Sequence, residues 1–174
     1  MNGRRNILLL IAGLLLCGLP AQGDPAIPAA SQVPILLKVL TYDRSLMEGA
    51  HEAIQIGVLY SPGSEASANL CREAEAAFKA NAGKTINGLP FSYELLPLSN
   101  AAALEVMIAH QGIDVFCVAD EDAKTVSAIV SLSLRHGILT MSLVDRHAVE
   151  GVATFGLARG PDPEVGVFVW HAPG

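Results

Sequence analysis

Apolar and polar positions change their spacing several times along this chain, and each change marks an expected element. The densest apolar run, Ile113 to Asp120 (IDVFCVAD), is interrupted only by Asp114 before its closing aspartate. Such a run fits a strand buried on both faces of a mostly parallel sheet, and it predicts the central strand of the fold. Upstream, Ser31 is a candidate helix cap and Pro34 fits a first turn. Ile35, Leu36, Val39, Leu40 and Leu46 then recur at helical spacing, so a first helix is expected to end near Leu46. Ala53 to Tyr60 reads as a strand, and Ser61-Pro62-Gly63 as the turn into a helix whose inward face is Leu70, Cys71, Ala74, Ala77 and Phe78. Asn81 to Gly83 should stop that helix.

The same alternation continues. Lys84 to Pro90 carries the turn pair Asn87-Gly88 and leads into a strand over Phe91 to Leu96. Asn100 to Gln111 reads as a helix capped by Asn100 and stopped by Gly112, with Leu104, Met107 and Ile108 inward. After the central strand, Glu121 to His136 is helical with Val126, Ile129, Val130 and Leu134 on its core face, and Gly137 ends it. Ile138 to Leu143, Val152 to Leu157 and Val165 to Trp170 are the remaining strands, with Asp145 to Gly151 a polar loop or short turn. Strands alternating with helices predict an α/β fold: a single three-layer sandwich with a mostly parallel central sheet and a C-terminal antiparallel hairpin.

The N-terminus adds a compartment to this picture. Arg4 and Arg5 precede an apolar run from Ile7 to Leu19, followed by Ala21-Gln22-Gly23, the pattern of a secretory signal peptide over residues 1–23. Periplasmic or otherwise secreted location follows, with residues 24–30 a flexible Pro- and Ala-rich leader and residues 31–174 one domain. A lipid anchor on Cys17 is disfavoured by Leu16 before it, and the apolar run is shorter than a bilayer span. Net charge is -6 with Arg4 and Arg5 included, so the processed chain is more acidic still. That balance argues against nucleic acid and anionic membrane surfaces as partners. With no later apolar stretch of spanning length, the processed chain is not expected to be an integral membrane protein.

Candidate chemistry is sparse, and each motif has a plain structural explanation. Gly83-Lys84-Thr85 imitates the end of a phosphate-binding loop, but Phe78 stands where the first glycine belongs and a helix precedes the segment. Asp120, Glu121 and Asp122 lie at a strand end where α/β sheets place ligands, yet Asp120 is also a natural cap for the next helix. The histidines, His51, His110, His136, His147 and His171, lack zinc-site spacing, and no nucleophile elbow occurs. No catalytic, cofactor-binding or metal-binding residue is therefore nominated. Cys71 and Cys117 are a candidate disulfide, since the helix bearing one can cover the strand bearing the other; buried free thiols serve equally as small apolar residues.

The secretory signal, PILLKVLTYDRSL, IQIGVLY, GKTINGLPFSYELLPL, DVFCVAD, GILTMSL and VEGVATFGL together resemble the YfiR-like family of periplasmic proteins, from about Val33 to Phe168. The resemblance rests on order and pattern. It implies an α/β sandwich without catalytic residues and a regulatory role: binding, and repressing, the periplasmic part of an inner-membrane signalling protein such as a diguanylate cyclase, with cysteine oxidation linked to its state. The family's closing C-terminal helix has no counterpart after Trp170. A non-enzymatic regulator in cyclic-di-GMP signalling, with the periplasmic domain of an inner-membrane protein as partner, is one expectation. A periplasmic small-ligand binding domain, with its ligand near Tyr60 to Ser64 and Asp120 to Asp122, is the other.

Overall fold

A computed structural model describes residues 26–44, 46, 52–98, 104–106, 108, 112–120, 122–145, 147, 155–159 and 165–169. Residues 1–25, with Cys17 and the expected signal peptide, and His51, Asn100, Met107, His110, Gln111, Glu121, Trp170 and His171 among the residues singled out by pattern, lie outside that set. The described elements are helix α1 (Ala29–Leu40), strand β1 (Ile54–Tyr60), helix α2 (Glu65–Ala80), strands β2 (Thr85–Ile86), β3 (Leu89–Pro97) and β4 (Val115–Val118), helix α3 (Ala123–His136), and strands β5 (Leu139–Ser142), β6 (Phe155–Arg159) and β7 (Val165–Val169). The fold is mixed α/β around a mostly parallel sheet in the order β2-β3-β1-β4-β5-β6-β7. Parallel pairing joins β3, β1, β4, β5 and β6, while β2 and β7 run antiparallel to their neighbours. The IDVFCVAD strand is thus the middle of the seven described strands.

Alternation along the strands divides the core between the two faces of the sheet. Ile54, Ile56, Val58, Val115, Cys117 and Met141 pack with α1 and α2. Leu59, Phe116 and Val118 pack with Val126, Ile129 and Leu132 of α3 and with Leu104. Both sides of β4 are therefore covered, and all four of its residues are buried, which is why its sequence shows no polar alternation. Edgeward, β3 does alternate: Pro90, Ser92, Glu94 and Pro97 are exposed, while Phe91 and Tyr93 lie against Phe78 of α2. The Phe78 ring stacks on Tyr93 with centroids 5.3 Å apart and meets Phe91 edge-on at 6.2 Å.

Several boundaries differ from the sequence reading for identifiable reasons. The first helix begins at Ala29, with Pro28 at the cap position and no side-chain cap bond, so Ser31 is inside the helix and Pro34 is beyond its first turn. It also stops at Leu40. Leu46 lies six residues further, out of helical phase; after Leu40 the chain turns, and the Asp43 carboxylate accepts the N–H of Leu46, returning that side chain to the core. At its described end the Pro- and Ala-rich segment contributes Ile27 to the core, while Ala26 and Pro28 are exposed. Asn87 and Gly88, at φ 50° and 87°, form a two-residue turn joining β2 to β3, and Asn87 Nδ2 donates to Thr41 O at 2.8 Å.

Candidate functional site

Strand order reverses between β1 and β4: the chain goes from β1 outward to β3, then returns to the other side of β1 and continues through β4 to β5. In an open α/β sheet the crevice beyond the carboxyl ends of two such strands is the usual ligand position. The register aligns Leu59 with Val118, which brings Ser61 level with Asp120 two residues on. Ser61 Oγ donates to Asp120 Oδ2, a contact between segments 59 residues apart. Sequence reading placed both residues at this sheet edge but did not pair them.

Asp120 is 2 % exposed, and its other oxygen, Oδ1, accepts the N–H of Asp122 at 2.8 Å. That bond turns the chain at Asp120 and moves the helix start two residues on. The cap of α3 is consequently Asp122, not Asp120: its carboxylate accepts from Thr125 N at 2.8 Å and Thr125 Oγ1 at 2.7 Å. These bonds hold the Asp122 carboxyl below the usual carboxylate range, the Thr125 hydroxyl contributing most.

Ser64 and Ser67 complete the crevice. Ser64 caps α2 by accepting from Ser67 N, while buried Ser67 donates to Ala119 O at 2.6 Å and accepts from Ser61 N at 2.9 Å. The Ser67 hydroxyl thus ties the end of β4 to the loop after β1. Ser61, Ser67 and Asp120 are thus tied across segments, while Ser64 and Asp122 cap the helices they precede. Gly83-Lys84-Thr85 lies elsewhere, in the turn that ends α2 and opens β2, with Gly83 at φ 87°.

A second polar cluster lies beyond β5, where sequence reading saw only a loop. His147 is buried, and its Nδ1 lies 3.0 Å from Ser142 Oγ, which also accepts from Val144 N at 3.0 Å. Asp145 Oδ2 accepts from Ile27 N at 3.3 Å, joining this loop to the entry of α1. Gln32, wholly buried on α1, donates through Nε2 to Ile27 O at 2.7 Å and Leu143 O at 2.8 Å. Between these segments and α2 opens a cleft of about 560 Å³. Spacing gives no signal for this convergence, because Gln32 and Leu143 are 111 residues apart.

Cys71 of α2 and Cys117 of β4 are free, buried thiols in one core cluster. Burial pushes the Cys71 thiol up, with Glu75 adding to the effect and Arg72 opposing it. Burial pushes Cys117 well above the ordinary thiol range, and Cys71 reinforces the shift. Among the described residues there is no group of three or more His, Cys, Asp or Glu side chains arranged to hold a metal ion. Nor is any described helix long and apolar enough to cross a membrane. No protein-family model matches this chain, and no curated protein matches it.

Proposed function

We propose that this chain is a non-enzymatic regulatory protein of the periplasm that binds the periplasmic part of a membrane signalling protein, such as a diguanylate cyclase. The observation that carries the reading is the committed state of Asp120. The buried carboxylate of Asp120 at the switch point uses one oxygen on Ser61 and the other on Asp122 N, so it braces two strand ends. The resemblance to the YfiR-like family supplies the kind of partner. With it goes the finer architecture: a single three-layer sandwich closed by a C-terminal antiparallel hairpin, exported by a signal peptide over residues 1–23, with Cys71 and Cys117 able to bond under oxidising conditions.

Crosslinking in the native host, followed by identification of captured proteins, tests the regulatory reading. Recovery of an inner-membrane protein with a periplasmic sensor domain is expected; capture of soluble proteins only, or of none, counts against it.

The second reading is a small-ligand binding domain. It is favoured by the cleft beyond β5, which falls within the size range of small-molecule sites. It sits beside α1 and α2, and its lining residues include none of Tyr60 to Ser64 or Asp120 to Asp122, where the sequence pointed. A thermal-shift screen against envelope metabolites tests it, stabilisation being the expected result.

A further inference from the structure

We propose that the outer edge of β3 pairs with the same edge of a second copy of this chain, antiparallel and centred on Tyr93, so that two sheets join into one. This pairing depends on neither functional reading above. β3 lies next to the end of the sheet, and on its outer side β2 covers only Leu89 and Pro90. Among the described residues no other strand pairs with that side. From Phe91 to Pro97 the inner side pairs with β1. Leu98 N donates to Tyr60 O, which fixes the alternation: Ser92, Glu94 and Leu96 turn their N–H and C=O groups to β1, and Phe91, Tyr93 and Leu95 turn theirs outward. Pro97 shares the outward orientation but has no N–H to offer.

A row of outward backbone groups is a template for another strand, and this row is its own complement. With Tyr93 of one copy opposite Tyr93 of the other, Phe91 stands opposite Leu95, and each outward residue exchanges both of its bonds with the residue it faces. Moving the centre to Ser92 calls on Leu89, which already pairs with Ile86; moving it to Glu94 calls on Pro97, which lacks a donor. The two-fold pairing closes at a dimer, because each copy uses the edge once. Side chains agree with the register. Phe91, Tyr93 and Leu95 are only half-buried against the core on the α2 side, whereas β4, flanked by strands on both sides, is wholly buried. The second strand covers their open flanks with Phe91 beside Leu95 and Tyr93 beside Tyr93. On the other face, exposed Ser92 stands opposite exposed Glu94, so no charge meets its like.

The test uses the full chain as exported, in about 0.15 M salt, which screens the repulsion between two acidic copies. Sedimentation over a wide range of concentration is expected to show a monomer–dimer equilibrium. Hydrogen exchange should slow at the Phe91, Tyr93 and Leu95 amides as concentration rises and stay constant at Ser92, Glu94 and Leu96, which already face β1. Ser92→Cys mixed with Glu94→Cys should crosslink between copies on mild oxidation, because directly opposite residues meet disulfide geometry, while either variant alone crosslinks far less. Ser92→Lys combined with Glu94→Lys sets lysine against lysine at both ends of the pairing. It should raise the dissociation constant about tenfold without lowering the melting temperature, both positions being exposed. A monomer at every concentration overturns the proposal, as does a dimer indifferent to the lysine pair and without the mixed crosslink. A monomer whose three outward amides gain protection only when inner-membrane vesicles of the native host are added overturns the second copy in favour of a partner's strand.

Discussion

The hydroxyl of Ser61 donates to the carboxylate of Asp120 across the point where the strand order reverses. Asp120 is almost wholly buried and accepts from both Ser61 Oγ and Asp122 N, so removing its carboxylate loses two part-buried hydrogen bonds. Asp120→Ala is therefore expected to destabilise the protein by about 2 kcal/mol, two bonds at about 1 kcal/mol each. Ser61→Ala should cost less, and the double variant should cost less than the two single losses combined, since the pair is coupled. Urea unfolding of the three variants measures this, and additive losses would show that the two side chains act independently.

Gly137 ends α3 at φ 68°, with open space where a Cβ would stand. Any penalty for Gly137→Ala is thus a backbone penalty alone, about 1 kcal/mol for forcing an L-residue into the left-handed region. Gly63 also has open space around it but no left-handed φ, so Gly63→Ala is expected to be neutral or slightly stabilising through the unfolded chain. Chemical denaturation of both variants checks the contrast, and equal losses would remove the conformational explanation.

These relationships divide what the sequence made readable from what it did not. The burial of β4, the turn at Asn87-Gly88 and the end of α3 at Gly137 each follow from local pattern, because period and turn chemistry are properties of neighbouring residues. Errors arose where one candidate competed with another a few positions away. Asp120 and Asp122 are both good caps by type, but the Asp120 carboxylate accepts from Asp122 N and from Ser61, which lies 59 residues away, and Asp122 caps the helix. Leu46 extends the apolar pattern of the first helix although it is out of phase with Leu40, and the Asp43 carboxylate, not the helix, restores it to the core. The cleft was illegible altogether. Its walls meet only when the entry to α1 docks against the exit of β5, a contact made by Gln32 and Asp145 across more than a hundred positions.

Asp122 gives the protein an acid-side stability dependence of known sign. Its carboxyl is held below its ordinary value of 3.8 by the bonds from Thr125, so the folded state releases its proton at lower pH than the unfolded chain does. The stabilisation is complete above the unfolded value and is lost as pH falls through the folded one. Asp122→Asn retains an oxygen for the cap but cannot titrate. Melting curves of the variant and parent are expected to converge as pH is lowered below about 4, with the parent ahead at neutral pH. A constant difference across that window would show that the cap does not depend on the charge.

The alkaline side belongs to the cysteines. Both thiols ordinarily ionise near 9.0, and burial raises both in the folded protein, Cys117 far more than Cys71. Below pH 9 folded and unfolded chains both keep these protons, and the contribution is constant. As pH rises further the unfolded chain loses protons that the folded chain retains, so stability falls until the folded thiols ionise. For Cys117 the slope should approach about 1.4 kcal/mol per pH unit. Cys117→Ala should flatten the limb relative to the parent, which isolates it from lysine and tyrosine titration. Native alkylation at pH 8 should leave both residues unmodified, because the reactive form is the thiolate and both thiols are buried and protonated. The bonded state predicts a different profile. With Cys71 and Cys117 joined, there is no thiol to titrate, so the alkaline limb disappears in oxidised protein and returns on reduction. Denatured alkylation without reductant then distinguishes the two forms: labelling of both cysteines marks the thiol state, and labelling of neither marks the disulfide.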